Sequence, residues 1–157
     1  MIQPLITASP RGFALAFVLF VAPAPVIATL LVLLSLLHPG DVYRSAAGPV
    51  LAFIQLLFLA PLLETVLLIA PTMLALRLLR RRWLACVLGS MPVVLLHVPD
   101  GWQKAAVVSA SFLWGAYCYA TLTDQGASFR TRFWFLAGIH ALANLLAFAL
   151  GMAIRGM

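Results

Sequence analysis

The sequence predicts an all-α, polytopic integral membrane protein, a helical bundle of about five transmembrane helices. Three observations carry this. Hydrophobic residues make up 64% of the 157 positions and charged residues only 9%, with a mean hydropathy of +1.09, whereas soluble domains run at about half apolar and a quarter charged. A soluble fold of this size has too little interior to hide that much apolar surface. The apolar residues also fall into long blocks, with the charged ones collected between them. At about 20 residues per crossing, the length holds five spans and no separate soluble domain, so residues 1–157 read as one membrane domain.

The first block, Gly12 to Leu37, exceeds the apolar region of a signal peptide and reads as a retained helix, kinked or split at Pro23 and Pro25. His38-Pro39-Gly40-Asp41 is a turn-rich exit. The second block runs from Ala47 to Leu76, carries Pro61 and Pro71, and ends at Arg77, Arg80, Arg81 and Arg82. It is longer than one straight span, so it tilts or ends along the interface. The third, Trp83 to His97, is short, contains Pro92, and is closed by Val98-Pro99-Asp100-Gly101. The fourth runs from Lys104 to Leu122, with a loop starting at Asp124-Gln125-Gly126; the fifth runs from Phe133 to Ile154. Trp83, Trp102 and Trp134 near span ends suit the aromatic belt.

Ten Lys and Arg against four Asp and Glu give a formal charge of +6. No helix-turn-helix, RNA-binding motif or basic tail accompanies it, so nucleic acid is not an expected partner, and membrane lipid is. With the N-terminus inside, Arg11, Arg77, Arg80, Arg81, Arg82, Arg130 and Arg132 face the cytoplasm, against Arg44, Lys104 and Arg155 outside. The compact Ala- and Leu-rich chain points to a multi-pass protein of a bacterial cytoplasmic membrane. Cys86 and Cys118 lie in apolar stretches and read as buried small hydrophobes.

Ionisable groups at membrane depth are costly and normally face a protein interior or a wet cavity. Asp41, Asp100 and Asp124 fall in loops, which leaves Glu64 as the acid inside a span, with His97 and His140 in or at the end of spans. Glu64 lies about 20 Å along its helix from Arg77, and His97 about 21 Å from Trp83. His140 and Asn144 lie about 12 and 18 Å beyond Arg132, and their spacing of four puts them on one helical face. Small residues around them, Ala137, Gly138, Ala141 and Ala143, allow close helix approach. Three helices can thus bring a carboxylate, two imidazoles and a carboxamide to one pocket. A carboxylate and an imidazole can take a proton from a shared water, and an imidazole with a carboxamide can donate to an oxyanion. Glu64, His97 and His140 could alternatively hold a divalent metal such as zinc, although the spacing is not HExxH. Blander readings stand beside these: Glu64 as a structural carboxylate, His97 as an interface histidine beside Pro99 and Asp100, His140 and Asn144 as interhelical hydrogen-bonding groups.

These residues, in this order, resemble the CPBP family of intramembrane proteases, the CAAX-protease and bacteriocin-processing enzymes also called the Abi superfamily. The family's first motif is a proline, two residues, then Glu-Glu-x-x-x-Arg; Pro61-Leu62-Leu63-Glu64-Thr65 matches the proline and the first Glu. Met91-Pro92-Val93-Val94-Leu95-Leu96-His97 matches an apolar helix ending in His. Phe112-Leu113-Trp114-Gly115 matches Phe-x-x-Gly, and His140-Ala141-Leu142-Ala143-Asn144 matches His-x-x-x-Asn. The likeness covers residues 61–148.

The resemblance implies an endopeptidase in which Glu64 and His97 activate the attacking water and His140 and Asn144 form the oxyanion site, on a membrane-associated protein or peptide substrate. In the family's metalloprotease view, some of these residues would instead ligate a metal. Two positions depart from the pattern: the second Glu is Thr65, and the Arg is Ile69. They motivate an alternative, a catalytically inactive immunity or scaffold protein of the same type. A third reading is a proton-linked transporter subunit, since a lone intramembrane Glu with His partners also serves proton relays.

Overall fold

The computed structural model describes residues 49–155, which form helices and short connections with no β-strand among them. The block from Gly12 to Leu37, with Pro23 and Pro25, lies outside the described residues. The chain runs through α1 (Pro49–Ile54), a π-helical turn (Gln55–Leu59), α2 (Ala60–Leu78), α3 (Arg82–Leu96), a 3-10 turn (Val98–Asp100), α4 (Trp102–Asp124) and α5 (Phe129–Arg155). Three helices are long and apolar enough to cross a membrane: Gln55–Leu78, Trp102–Asp124 and Phe129–Leu150. The 15-residue α3 is apolar but shorter; it spans about 22 Å, against an apolar core of about 30 Å.

The second block is not one uniform α-helix. Pro61 lacks an N–H, and the backbone just before it is wound as a π turn in which the Ala60 N–H donates to the Gln55 carbonyl, five residues back. Beyond it, α2 lies at the centre of the bundle and packs on α3, α4 and α5. Its buried stripe is Pro61, Thr65, Leu68, Ile69, Thr72 and Ala75. Leu68 joins Cys86, Val93, Val108, Phe112, Ala116 and Ala120 in one core cluster. Ile69 joins Cys118, Tyr119 and Leu136 in a second, nearer α5. Both cysteines are buried and free, as the apolar reading expects.

The α2–α3 contact is close because both sides are small. Gly89, on the buried face with Ala85 and Ser90, lies against Thr72. A β-carbon there would meet Thr72 Oγ1 at 2.0 Å and Thr72 Cα at 2.6 Å. Thr72 turns its hydroxyl back to donate to the Leu68 carbonyl at 2.6 Å, so its own buried donor is satisfied.

Loop chemistry sets the boundaries. The residues flanking the connection between α2 and α3, Leu79 and Arg81, are both extended. Gly126 ends α4 in the left-handed region (φ 73°). The Ala127 N–H reaches the Leu122 carbonyl and the Gly126 N–H the Thr123 carbonyl, a Schellman closure. Ser128 caps α5, its hydroxyl accepting from the Thr131 N–H at 3.1 Å. That cap starts α5 at Phe129, four residues ahead of the apolar boundary at Phe133.

The connections after α2 and α4 share one end of the bundle, rich in arginine. Arg82, read from sequence as one of a group of topology anchors, also ties helices together. It donates to Asp124 Oδ2 at 2.6 Å and to Thr121 Oγ1, and stacks over the Tyr117 ring at 4.9 Å. At the opposite end, Lys104 pairs with Asp100 at 2.5 Å.

Candidate active site

Glu64 sits one turn beyond Pro61 on α2, His97 at the C-terminal cap of α3, and His140 and Asn144 on α5. The fold brings the first three together. His140 Nε2 lies 3.2 Å from Glu64 Oε2, and His97 Nε2 lies 3.8 Å from Glu64 Oε1. The first is hydrogen-bonding distance; the second is too long for a direct bond and short enough for one water to serve both atoms. The three side chains are 15% to 20% exposed, sheltered but not sealed. Lys104, near the start of α4, is within electrostatic reach of Glu64.

The His97 tautomer follows from its neighbours. Nδ1 lies 2.9 Å from the carbonyl of Val93, one turn back. A carbonyl only accepts, so Nδ1 carries the proton and donates. In the neutral ring, Nε2 therefore presents its lone pair toward Glu64.

Asn144 has a different neighbour. Its Nδ2 donates to the backbone carbonyl of Leu56 at 2.9 Å, across 88 residues of sequence. One of its two N–H groups is thus committed to the π turn, and the other is what remains for an oxyanion.

Phe112 was legible as part of a motif but not as part of the site. It is 6% exposed. Its ring lies 6.0 Å from that of His97 and 5.3 Å from that of His140, the latter edge-on. It forms an apolar wall against both imidazoles and limits their rotation. Gly115, the other motif residue, lets α4 close on α2; a β-carbon there would meet Leu68 Cδ2 at 2.9 Å. The carbonyls of Val93 and Leu56 had no signal in side-chain patterns.

The departures at Thr65 and Ile69 are core positions, 2% and 3% exposed.

For zinc, ligand atoms must converge at about 2.0–2.2 Å on one point. Among the described residues, no group of three or more His, Cys, Asp or Glu is so disposed. As the side chains stand, the trio is spaced to share a water and its protons. No known protein family, curated protein or solved structure matches the chain.

Proposed function

We propose that the protein is an intramembrane endopeptidase of the CPBP type. The observation that supports this is the convergence of Glu64, His97 and His140 from three helices at 3.2 and 3.8 Å. A carboxylate and two imidazoles are expensive at membrane depth, and a purely structural role needs at most one partner for Glu64.

In this reading, a water donates one hydrogen to Glu64 Oε1 and the other to His97 Nε2. Both atoms are acceptors, so the water's lone pair is left facing the substrate. Glu64 takes the proton as the water oxygen bonds to the scissile carbonyl carbon. The carbonyl oxygen becomes an oxyanion, stabilised by the uncommitted N–H of Asn144 and by His140 Nε2–H, which turns from Glu64 Oε2 to the oxyanion once that carboxylate has taken the proton and lost its charge. Collapse breaks the C–N bond, and the proton on Glu64 passes to the leaving amine. The short α3 helps. With His97 ending it about 22 Å from the arginine-rich end, the helix stops short of a full crossing and is followed by the exposed Val98-Pro99-Asp100 turn, so in this reading water comes to Glu64 from that end. The five-helix bundle, the N-inside orientation and a bacterial cytoplasmic membrane belong to the same proposal, as does a membrane-associated protein or peptide substrate.

The experiment compares new peptide termini in membranes expressing wild type and Glu64→Ala at matched levels. Termini that depend on Glu64 support the reading and name the substrate. Identical termini from two inserted, folded proteins argue for the second reading, an inactive immunity or scaffold protein. Thr65 and Ile69 favour that alternative, being core residues where the family pattern places charge.

A further inference from the structure

A π turn, a proline and a distant asparagine meet at one unexplained hydrogen bond. Within the helix, two donors are in register for the Leu56 carbonyl: the N–H of Ala60 four residues on, and that of residue 61 five residues on. The first is spent on Gln55. The second does not exist, because residue 61 is proline. Leu56 is half-buried in a segment apolar enough to cross a membrane, where an unsatisfied carbonyl is costly. Asn144 Nδ2 supplies the missing donor at 2.9 Å.

We propose that Asn144 is a positioning residue, a latch whose acceptor is created by Pro61. The latch fixes how α5 lies against the π turn and α2. Asn144 is one turn beyond His140 on the same face of α5, and Pro61 is three residues before Glu64 on α2. Holding Asn144 on Leu56 therefore sets the register in which His140 Nε2 meets Glu64 Oε2. A second contact lies one turn further out, where the Phe53 and Phe148 rings pack edge to face at 5.5 Å. The inference rests on the proposed function only in treating His140 as the group being placed.

The test is a double-mutant cycle of Pro61→Ala and Asn144→Ala in the full chain in detergent micelles. It is read by reversible unfolding and by the ¹⁵N resonances of the His140 ring, assigned by their loss in His140→Gln. Pro61→Ala restores an intrahelical donor, so the latch becomes redundant. Asn144→Ala is expected to shift the unfolding equilibrium about tenfold in the wild-type background and less than about twofold in the Pro61→Ala background. The His140 resonances move in Asn144→Ala and return in the double variant. Equal losses in both backgrounds, or His140 resonances unmoved by Asn144→Ala, overturn the latch. If Asn144→Ala does not accumulate, recovery in the double variant supports the proposal and equal failure beside a folded Pro61→Ala overturns it. If Pro61→Ala does not fold, Asn144→Gln is compared with Asn144→Leu. Retention by the amide alone supports the latch, and equal behaviour overturns it. None of these readouts needs cleavage. Absent Glu64-dependent products would remove the protease reading and leave the latch standing, and additive substitutions beside Glu64-dependent cleavage by the wild-type chain would do the reverse.

Discussion

Gly89→Ala adds a single methyl group at the α2–α3 crossing, and the structure sets what that methyl meets. The nearest atom is Thr72 Oγ1 at 2.0 Å, followed by Thr72 Cα at 2.6 Å. A side-chain oxygen can rotate away; a backbone carbon cannot. Restoring ordinary contact with the Cα requires the two helices to part by about 0.8 Å along that line. Overpacking of this kind costs about 3 kcal/mol, and alanine returns about 1 kcal/mol of helix propensity over glycine. The net loss of about 2 kcal/mol corresponds to a Tm drop of about 4–8 °C at this chain length. The displaced α3 also carries His97 two turns on, so the 3.8 Å separation from Glu64 should widen and Glu64-dependent cleavage should fall with stability. The assay is thermal unfolding in detergent of Gly89→Ala, of Gly138→Ala and of Gly89→Ala with Thr72→Ala. Gly138 is helical and a methyl added there has nothing within 4 Å, so alanine is expected to stabilise by about 1 kcal/mol. Thr72→Ala removes Oγ1 and leaves the Cα, so it should not rescue Gly89→Ala. A Gly89→Ala protein as stable as wild type, or full rescue by Thr72→Ala, would refute the backbone-contact reasoning.

Glu64→Gln keeps an oxygen for the His140 hydrogen bond but cannot take a proton. Cleavage should fall by about 10³-fold, while Tm moves little, checked by product quantification beside thermal unfolding. Ser128→Ala removes the α5 cap and should cost about 1 kcal/mol in unfolding free energy without changing which termini appear. Ile69→Arg buries an unpaired charge in a position 3% exposed and should cost about 3 kcal/mol or more. Adding Thr65→Glu should recover part of that loss, because the two lie one turn apart on α2 and can pair; additive losses in the unfolding cycle would show that they do not.

What the sequence made legible was set by solvent. Apolar blocks mark where lipid is, and so α2, α4 and α5 can be read from composition with boundaries displaced by a few residues. The displacements have local causes that hydropathy does not see. The Ser128 hydroxyl starts α5 early, and Gly126 ends α4 by adopting a positive φ. The polar residues were legible for the same reason: Glu64, His97, His140 and Asn144 stand out because lipid penalises them. What they do to one another was only partly legible. Spacing could place Glu64 and His140 at similar depth, and the structure puts them 3.2 Å apart. It could not assign the His97 proton, which depends on the Val93 carbonyl, nor find Phe112 as the wall between the imidazoles.

Pro61 illustrates why the remainder was hidden. In a hydropathy reading a proline is a kink, and in a motif reading it is a spacer before Glu64. In the folded chain its missing N–H has a consequence elsewhere: the π turn cannot continue, the Leu56 carbonyl is left without a helical donor because the Ala60 N–H is already spent on Gln55, and a residue 88 positions away supplies one. Backbone polar groups must be satisfied in lipid, so a local subtraction becomes a long-range contact. Sequence periodicity records side chains and is blind to such a subtraction. The relation between Pro61 and Asn144 is therefore a constraint on helix arrangement, and it bears on the Glu64–His140 geometry whichever chemistry that pair performs.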